Sequence, residues 1–414
     1  MTPTPMHRAF VIAACALLSG AAVSAQTAGR EPAPGQPEPG GTTLIDSGNP
    51  ATASGLLRLW RVYSTQGGRV MLKVYRPESD RLVLVGSSPL ESVPPATVAT
   101  FTCSIPVSRS DLVGCFCPDS TCLDRFADGV VLTAPGDVGT SALDEFTSTV
   151  GGPAVWAGTT LAVDIPSTAD TELVLPVAAR NPGLLGTLWT TALELFNTAT
   201  TENTVALFFN QSNRDNTAPA ASAQITIPPR GTYVFDDLLG DAFQVDDTTG
   251  AVDLVALAPI IAHARIANHG GAEGTYGQFV PAFPARWAVG DDHSPGVNPL
   301  SDIVYLFELR EDEDWRTNLG IVNTSGLGLT VQLQAFVDGT EVGEALLVTL
   351  QPYSHTQLNQ VLEDLSVAPG TSGVRVNVEA VPGSSARFFA YASRVDNLTG
   401  DAVFIPGSRE AALP

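Results

Sequence analysis

From Leu44 onward, hydrophobic positions recur at every second residue, a period typical of β-strands. Short apolar runs alternate with Gly, Pro, Asp and Asn. In "VRVNVEA" (Val374–Ala380), the valines fall on one face and the polar residues on the other. "TVQLQAFV" (Thr330–Val337) alternates in the same way and runs into Asp338-Gly339, a strong hairpin-turn signal. The pattern predicts an all-β chain built from sandwiches or barrels.

One phrase occurs twice along the chain. "WTTALELFNTATTENTVAL" begins at Trp189 and "WRTNLGIVNTSGLGLTVQL" begins at Trp315, and Asn197 coincides with Asn323. Further matches follow in the same order, ending with "QFVPA" and "VFIPG". A period this long indicates duplicated domains, because the repeats of a solenoid run only about 20–50 residues.

The two copies are predicted to span residues 168–285 and 301–409, joined by a linker at 286–300. Each copy offers seven strand candidates, and one segment, Ser354–Asp364, has helical spacing. Seven short strands with one helical turn fit an immunoglobulin-like sandwich, although the Cys…Trp…Cys signature of antibody domains is missing. In the second copy the strands are predicted to begin near Ile303, Trp315, Leu329, Glu344, Gly373, Ala386 and Ala402.

The part of the chain before the repeats matches neither copy. Residues 43–166 predict a separate β-sandwich, with a jelly roll as the candidate topology. Residues 26–42 are rich in Pro and Gly and predict a linker. Residues 1–25 have a short basic start, an apolar run and a small-residue cleavage pattern, which predict a secretory signal peptide. A lipoprotein box with Cys15 is the alternative, but its apolar region is short.

The remaining four cysteines, Cys103, Cys115, Cys117 and Cys122, lie close together in the N-terminal unit. An exported protein meets an oxidising compartment, in which disulfides persist. We expect Cys117–Cys122 to close a turn and Cys103–Cys115 to join two strands. A metal site and a redox pair are the alternatives, but the spacing is a poor match to paired zinc ligands.

The tryptophans that open the repeated phrase have two interpretations, and the asparagines within it have one. Trp189 and Trp315 could stack on sugar rings or pack inside the sandwich, and we expect packing. Burial would make Trp315→Ala cost about 3–5 kcal/mol. Asn197 and Asn323 are expected to satisfy backbone groups at strand ends.

The formal net charge of −22 narrows the classes of partner that the protein is expected to bind. So acidic a chain disfavours binding to nucleic acids and to anionic membrane surfaces. No stretch after the leader approaches the ~18 apolar residues of a membrane span, so none is expected in the mature protein. Acidic clusters such as "REDEDW" (Arg310–Trp315) match no EF-hand pattern, and we interpret them as solvated loops.

Familiar catalytic motifs are absent from the sequence. It contains no H-E-x-x-H, no G-x-S-x-G and no phosphate-binding glycine loop. A glycosidase needs only two carboxylates brought together by folding, and nothing in the sequence points to such a pair. We therefore expect no catalytic residues, no metal and no cofactor.

Three phrases resemble those of a known group of proteins. "GTYGQFVPA" (Gly274–Ala282), "WRTNLGIVN" (Trp315–Asn323) and "YASRVDNLTGDAVFIP" (Tyr391–Pro406) are similar to uncharacterised secreted bacterial proteins with duplicated immunoglobulin-like β-sandwich modules. The resemblance covers roughly the C-terminal 60% of the chain. It implies an extracellular or cell-envelope setting, and it brings no catalytic residues.

These observations favour a secreted, non-catalytic structural or adhesive protein of the bacterial surface, periplasm or extracellular space. Its partners would be cell-surface proteins or glycans. A carbohydrate-binding or accessory protein of polysaccharide degradation is the first alternative, which predicts a groove lined by Trp60, Trp156 or Trp287. A glycosidase-type hydrolase is the second alternative.

Overall fold

The computed structural model describes most of the chain after the expected signal peptide, which lies outside the described residues. The described residues are 27–29, 32–51, 55–119, 121–153, 155–161, 171–183, 187–269, 275–290, 303–381 and 386–409. The structure is 62% strand and 4% helix, which confirms the all-β prediction. The helices α1 (Leu238–Asp241) and α2 (Val361–Asp364) are single turns.

The first part of the chain, here called the N-terminal unit, forms two sheets. A four-stranded sheet has the order β1-β13-β4-β8, and a larger sheet has the order β11-β6-β5-β9-β3-β10-β12, with β2 on β10 and β7 on β5. Side chains from both sheets form one core, and the jelly-roll topology stays a prediction. The strands are β1 (Thr27–Gly29), β2 (Gln36–Pro39), β3 (Thr42–Asp46), β4 (Gly55–Ser64), β5 (Gly68–Pro77), β6 (Arg81–Ser87), β7 (Glu91–Val93), β8 (Thr97–Val107), β9 (Leu112–Cys117), β10 (Thr121–Pro135), β11 (Ser141–Ala142), β12 (Thr147–Pro153) and β13 (Val155–Leu161).

The predicted linker at residues 26–42 is wrong as a description of this segment. β1 and β2 lie within it, and β3 begins at its end. β2 pairs with β10 through Pro37 and Pro39. Proline is tolerated at a sheet edge, because its missing N–H can face away from the neighbouring strand. The Pro-rich composition therefore concealed a short edge strand.

The next part of the chain, the first repeat, also forms two layers. One layer has the order β17-β16-β19-β14, and the other has the order β18-β15-β20-β21. β14 pairs with β19 along most of its length and reaches β15 at Asn181. The elements are β14 (Glu172–Pro182), β15 (Leu188–Asn197), β16 (Asn203–Gln211), β17 (Ala221–Ile227), β18 (Thr232–Phe235), α1, β19 (Thr248–Ala256), β20 (Ile260–His269), β21 (Tyr276–Pro281) and β22 (Phe283–Pro284).

The last part, the second repeat, has the same strand order as the first. Its layers are β27-β26-β29-β24 and β28-β25-β30-β31. Trp189 and Trp315 lie near the start of the equivalent strands β15 and β25, and Asn197 and Asn323 end those strands. The elements are β23 (Val289–Gly290), β24 (Ile303–Leu309), β25 (Trp315–Asn323), β26 (Leu329–Val337), β27 (Thr340–Leu350), β28 (His355–Leu358), α2, β29 (Val374–Ala380), β30 (Arg387–Asp396) and β31 (Ala402–Pro406).

Two sequence expectations for the repeats need correction. In the predicted linker 286–300, β23 adds to the second repeat by pairing with β30, while residues 291–300 lie outside the described residues. In the segment with helical spacing, His355–Leu358 is a strand paired with β25, and only Val361–Asp364 is helical. Pairing with β25 supplies backbone hydrogen bonds that this short apolar spacing does not reveal.

The first repeat contacts both neighbours through the layer that contains β16, β19 and β14. On one part of this layer, Leu59 of the N-terminal unit packs with Ala206 and Phe208. On another part, Val322 of the second repeat packs with Val174. The three sandwiches are therefore joined by buried contacts.

Candidate functional site

A buried ion pair lies where the three sandwiches meet. Arg58, on β4, is fully buried, and its Nη2 donates a hydrogen bond of 3.0 Å to Oδ2 of Asp253 on β19. The guanidinium lies 4.5 Å from the ring centre of Phe208 and 5.1 Å from that of Tyr353. Because Tyr353 belongs to the second repeat, this one side chain contacts all three units.

The carboxylate of Asp253 is held by two donors. Nδ2 of Asn210 donates to Oδ2 over 2.8 Å, in addition to the bond from Arg58. Burial raises the pKa of Asp253, and the charge of Arg58 and the bond from Asn210 act in the opposite direction. Removing only one partner of such a pair is strongly destabilising, because the other charge then stays buried and unpaired. The arrangement is suited to fixing the units to one another.

A second buried polar chain links the two repeats. Nδ1 of His355 lies 2.7 Å from Oγ of Ser212, and Nε2 lies 2.9 Å from the hydroxyl of Tyr391. Ser212 also forms a hydrogen bond of 3.0 Å with the hydroxyl of Thr249. The His355 and Tyr391 side chains are buried. The Ser–His contact is the one that a nucleophilic active site would use.

The hydrogen-bonded side chains of Ser212, His355 and Tyr391 are not electrostatically suited to catalysis at neutral pH. Burial lowers the pKa of His355 to about 4, which makes the imidazole a weak base. Its other nitrogen contacts the phenol of Tyr391, whose pKa burial raises. A nucleophilic triad instead places a carboxylate there to stabilise the imidazolium. We interpret the chain as an interface network.

Asn197 and Asn323 make the backbone contacts that the sequence predicted. Nδ2 of Asn197 donates to the carbonyls of Thr201 and Pro228 over 2.8 and 3.0 Å. Nδ2 of Asn323 donates to the carbonyls of Leu327 and Gln351 over 2.7 and 2.9 Å. The Oδ1 atoms accept hydrogen bonds from Ala199 N and from Ser325 N. Both side chains are buried, and each makes the same kind of backbone hydrogen bonds in its own repeat.

The two tryptophans are less buried than full packing would make them. Trp189 is partly buried and packs against the core of the first repeat, in agreement with the packing interpretation. Trp315 is also only partly buried, and the guanidinium of Arg394 lies 5.2 Å from its ring centre. In the strand alternation Trp315 shares a face with Thr317 and Leu319, but it lies at the beginning of β25, and the buried cluster of the second repeat does not include it.

One of the three tryptophans predicted to line a carbohydrate-binding groove is not accessible to a ligand. Trp60 is fully buried beside Phe101, so it cannot stack on a ligand from solvent. Trp287 is exposed, with the guanidinium of Arg286 5.4 Å from its ring centre. The side chain of Trp156 lies outside the described residues.

The predicted Cys103–Cys115 disulfide is wrong. Both residues carry thiols, although they lie in the same core. The thiol of Cys103 donates to the carbonyl of Leu57 over 3.3 Å. The side chain of Cys122 lies outside the described residues, so the Cys117–Cys122 bond stays a prediction. Four cysteines near one another in sequence did not specify which sulphurs meet across the sandwich.

The first repeat has an exposed apolar face that sequence reasoning missed. It is the outer face of the layer β18-β15-β20-β21, here called the open face. Its defining side chains are Phe196, Val234, Ile261 and Phe279, and Ile261 and Phe279 are 48% and 56% exposed. His263 lies beside Phe279, with the ring centres 5.2 Å apart. Contiguous exposed apolar side chains are typical of interaction sites.

Within the described part of the chain, no group of three or more His, Cys, Asp or Glu side chains is placed to hold a metal ion. No helix among those residues is long and apolar enough to cross a membrane. In comparisons with known proteins, the chain matches no family model, no curated protein and no solved structure.

Proposed function

We propose that this protein is a secreted, non-catalytic structural or adhesive protein that meets its partners through a sheet face. The open face carries the proposal, because it offers apolar side chains to solvent on a rigid sheet. The immunoglobulin-like assignment of the repeats and the extracellular bacterial setting belong to the same proposal. The common strand order of the two repeats supports the duplicated-sandwich part of it.

The buried polar groups support a non-catalytic role. The Ser212–His355–Tyr391 chain lies in an interface, with an imidazole too weakly basic for neutral-pH catalysis. The burial of Trp60 leaves carbohydrate binding without one of the aromatic residues on which that alternative depended.

A binding experiment tests the adhesive part of the proposal. Labelled full-length protein is applied to bacterial cells and to extracted surface polymers, and Phe279→Glu is compared with Val130→Glu. Val130 is an exposed strand residue of the N-terminal unit and serves as the control. We expect Phe279→Glu to weaken binding at least ~10-fold, because it places a charge in the contact, and Val130→Glu to bind like the parent. Equal binding by both variants would remove the open face from the proposal.

A turnover experiment tests the non-catalytic part. The protein is incubated with ester, peptide and glycoside substrates, alongside His355→Gln. We expect no turnover by either protein. Turnover that is lost in His355→Gln would overturn the proposal and make the interface chain an active site.

A further inference from the structure

The open face has an equivalent in the second repeat, and there it is covered. Phe196 pairs with Ile261 across β15 and β20, and Val322 pairs with Phe389 across β25 and β30. Val322 lies in a buried cluster with Val174 and Ala251 of the first repeat, against which Phe389 packs. The same sheet face is thus an interface in one repeat and exposed to solvent in the other.

The strand registers show which residues of the second repeat correspond to the covering surface. Val174 pairs with Asp253, and Tyr305 pairs with Asn377. In each strand this pair lies one residue before the last pair that precedes a β-bulge, so Val174 corresponds to Tyr305. By the same register, Ala251 corresponds to Arg375. The second repeat therefore carries Tyr305 and Arg375 where the first repeat has the two residues that cover its neighbour.

This second surface is aromatic and of mixed charge. The guanidinium of Arg375 lies 4.5 Å from the ring centre of Phe336 and 5.7 Å from that of Tyr305. We call Tyr305, Phe336 and Arg375 the aromatic face. The acidic residues Glu341, opposite Phe336, and Glu379 lie on the same side of the layer. The open face is also mixed, because Glu194 lies between Val234 and His263, and Arg265 lies opposite Phe279.

We infer that the open face binds the aromatic face of a second copy of this chain, in the relation that already joins the two repeats within one molecule. In that contact, Tyr305 and Arg375 would meet Phe196 and Ile261, as Val174 and Ala251 meet Val322 and Phe389. The inference rests on the proposed function, since it names the partner of the open face. A contact between two different faces does not close on itself, so the copies form open head-to-tail chains.

The surface beside the aromatic face also differs between the two repeats. In the first repeat, the N-terminal unit covers Ala206 and Phe208. The equivalent positions in the second repeat are Gln332 and Gln334, since both pairs lie opposite equivalent residues of β19 and β29. Polar residues at these positions leave that side of the layer suited to solvent beside the aromatic face.

Sedimentation velocity of the full-length protein over a concentration series, at low and high ionic strength, tests the inference. Screening of the −22 net charge should favour association at the higher ionic strength. We expect species that keep growing with concentration. Ile261→Glu and Arg375→Glu should each associate roughly 100-fold more weakly, because each buries an unpaired charge or repels its partner. Val130→Glu, at 46% exposure, is the matched control and should associate like the parent.

Mixing the two variants gives a sharper test. Ile261→Glu retains the aromatic face, and Arg375→Glu retains the open face, so a mixture should form a complex of two chains that does not grow further. Val234→Glu, on the open face, replaces Ile261→Glu if that variant unfolds. A parent that is monomeric at all concentrations, or a mixture that forms no two-chain complex, overturns the inference.

The outcomes separate this inference from the proposed function. A monomeric parent that binds cells, and loses that binding with Phe279→Glu, overturns self-association and supports adhesion to another partner. Head-to-tail chains formed by a protein with substrate turnover support the inference and overturn the non-catalytic proposal.

Discussion

At the residue scale, the two asparagines within the repeated phrase are the strongest structural signal in the sequence. Each donates to at least two backbone carbonyls and accepts from one backbone N–H at the end of its strand. Spacing alone predicted them, because Asn at a strand end satisfies local backbone groups. No comparable signal marks Arg58 or His355 in the sequence, because Asp253 and Ser212, their partners, lie in the first repeat and far away along the chain.

Replacing these asparagines should destabilise both repeats alike. Asn323→Ala removes hydrogen bonds that a buried side chain makes to the carbonyls of Leu327 and Gln351 and from the N–H of Ser325, so we expect a loss of about 2–4 kcal/mol in the free energy of unfolding. Asn197→Ala should lose a similar amount. Asn359→Ala, at an exposed position, should stay within about 0.5 kcal/mol of the parent in denaturant unfolding. A parent-like Asn323→Ala would show that the hydrogen bonds are dispensable.

His355 should make the protein sensitive to mild acid. Because burial lowers its pKa to about 4, the unfolded chain takes up a proton below about pH 6.5 and the folded chain does not until about pH 4. The unfolded state therefore binds more protons in this window, and stability falls as the pH falls. We expect His355 to contribute a loss of about 2–4 kcal/mol between those pH values.

The His355→Gln variant isolates this contribution from the carboxylates that titrate in the same range. Its stability should depend less on pH between about 6.5 and 4 than that of the parent. Parallel pH profiles of the two proteins would show that His355 titrates normally in the folded state.

The number of reactive thiols tests the state of each cysteine. Desolvation raises the pKa of Cys103, so native labelling at mildly alkaline pH should be slow at that residue. Under denaturing, non-reducing conditions, Cys103 and Cys115 should both react. In a chain without residues 1–25, two reactive thiols would agree with a Cys117–Cys122 disulfide, and four would contradict that bond. No reactive thiol would contradict the structure at Cys103 and Cys115.

At the element scale, most strand starts of the second repeat could be predicted, although β27 begins at Thr340, four residues before its predicted start at Glu344. β24, β25, β26 and β29 begin at or within a residue of their predicted starts. β28 was missed because the spacing of Leu358, Val361, Leu362 and Leu365 also fits a helix. The open face was missed because alternation tells which side chains share a face, not whether another sandwich covers it.

One glycine shows how the repeats differ at this scale. Gly320 lies directly opposite Tyr391 across β25 and β30, and a Cβ at position 320 would overlap the Tyr391 ring. The equivalent position in the first repeat is Glu194, which lies opposite His263 on the exposed face. The absent side chain therefore makes room for the tyrosine that reaches into the core of the first repeat.

Gly320→Ala should weaken the contact between the two repeats. The Tyr391 ring must move, losing its hydrogen bond to His355 and its stacking on Phe404, and we expect a cost of about 1–3 kcal/mol. In Gly328→Ala, the added Cβ would have only one neighbour, the carbonyl of Leu350 at 3.9 Å, so this control should unfold like the parent. Hydrogen exchange should report faster exchange in β28 and β30 of Gly320→Ala. Equal exchange in both variants would contradict the role given to Gly320.

At the scale of the whole molecule, the three sandwiches depend on groups that no single unit could keep buried. Arg58 comes from the N-terminal unit, Asp253 from the first repeat and Tyr353 from the second. An isolated N-terminal unit would expose Arg58 to water, and an isolated first repeat would expose Asp253. The ion pair therefore opposes misdocked arrangements, since any of them leaves a charge buried without its partner.

A double-mutant cycle measures this coupling. Arg58→Met and Asp253→Asn should each cost about 3–5 kcal/mol, because each leaves one charged or polar partner buried and unmatched. The double variant should lose clearly less than the sum of the two, because it removes both charges together. Arg69→Met provides the control, since its pair with Asp119 is exposed and screened by solvent, so this variant should unfold close to the parent. Denaturant unfolding gives the energies, and hydrogen exchange in β4 and β19 locates the loss at the contact between the units. Additive costs would mean that Arg58 and Asp253 stabilise the molecule independently, and that the junction is held by its apolar contacts alone.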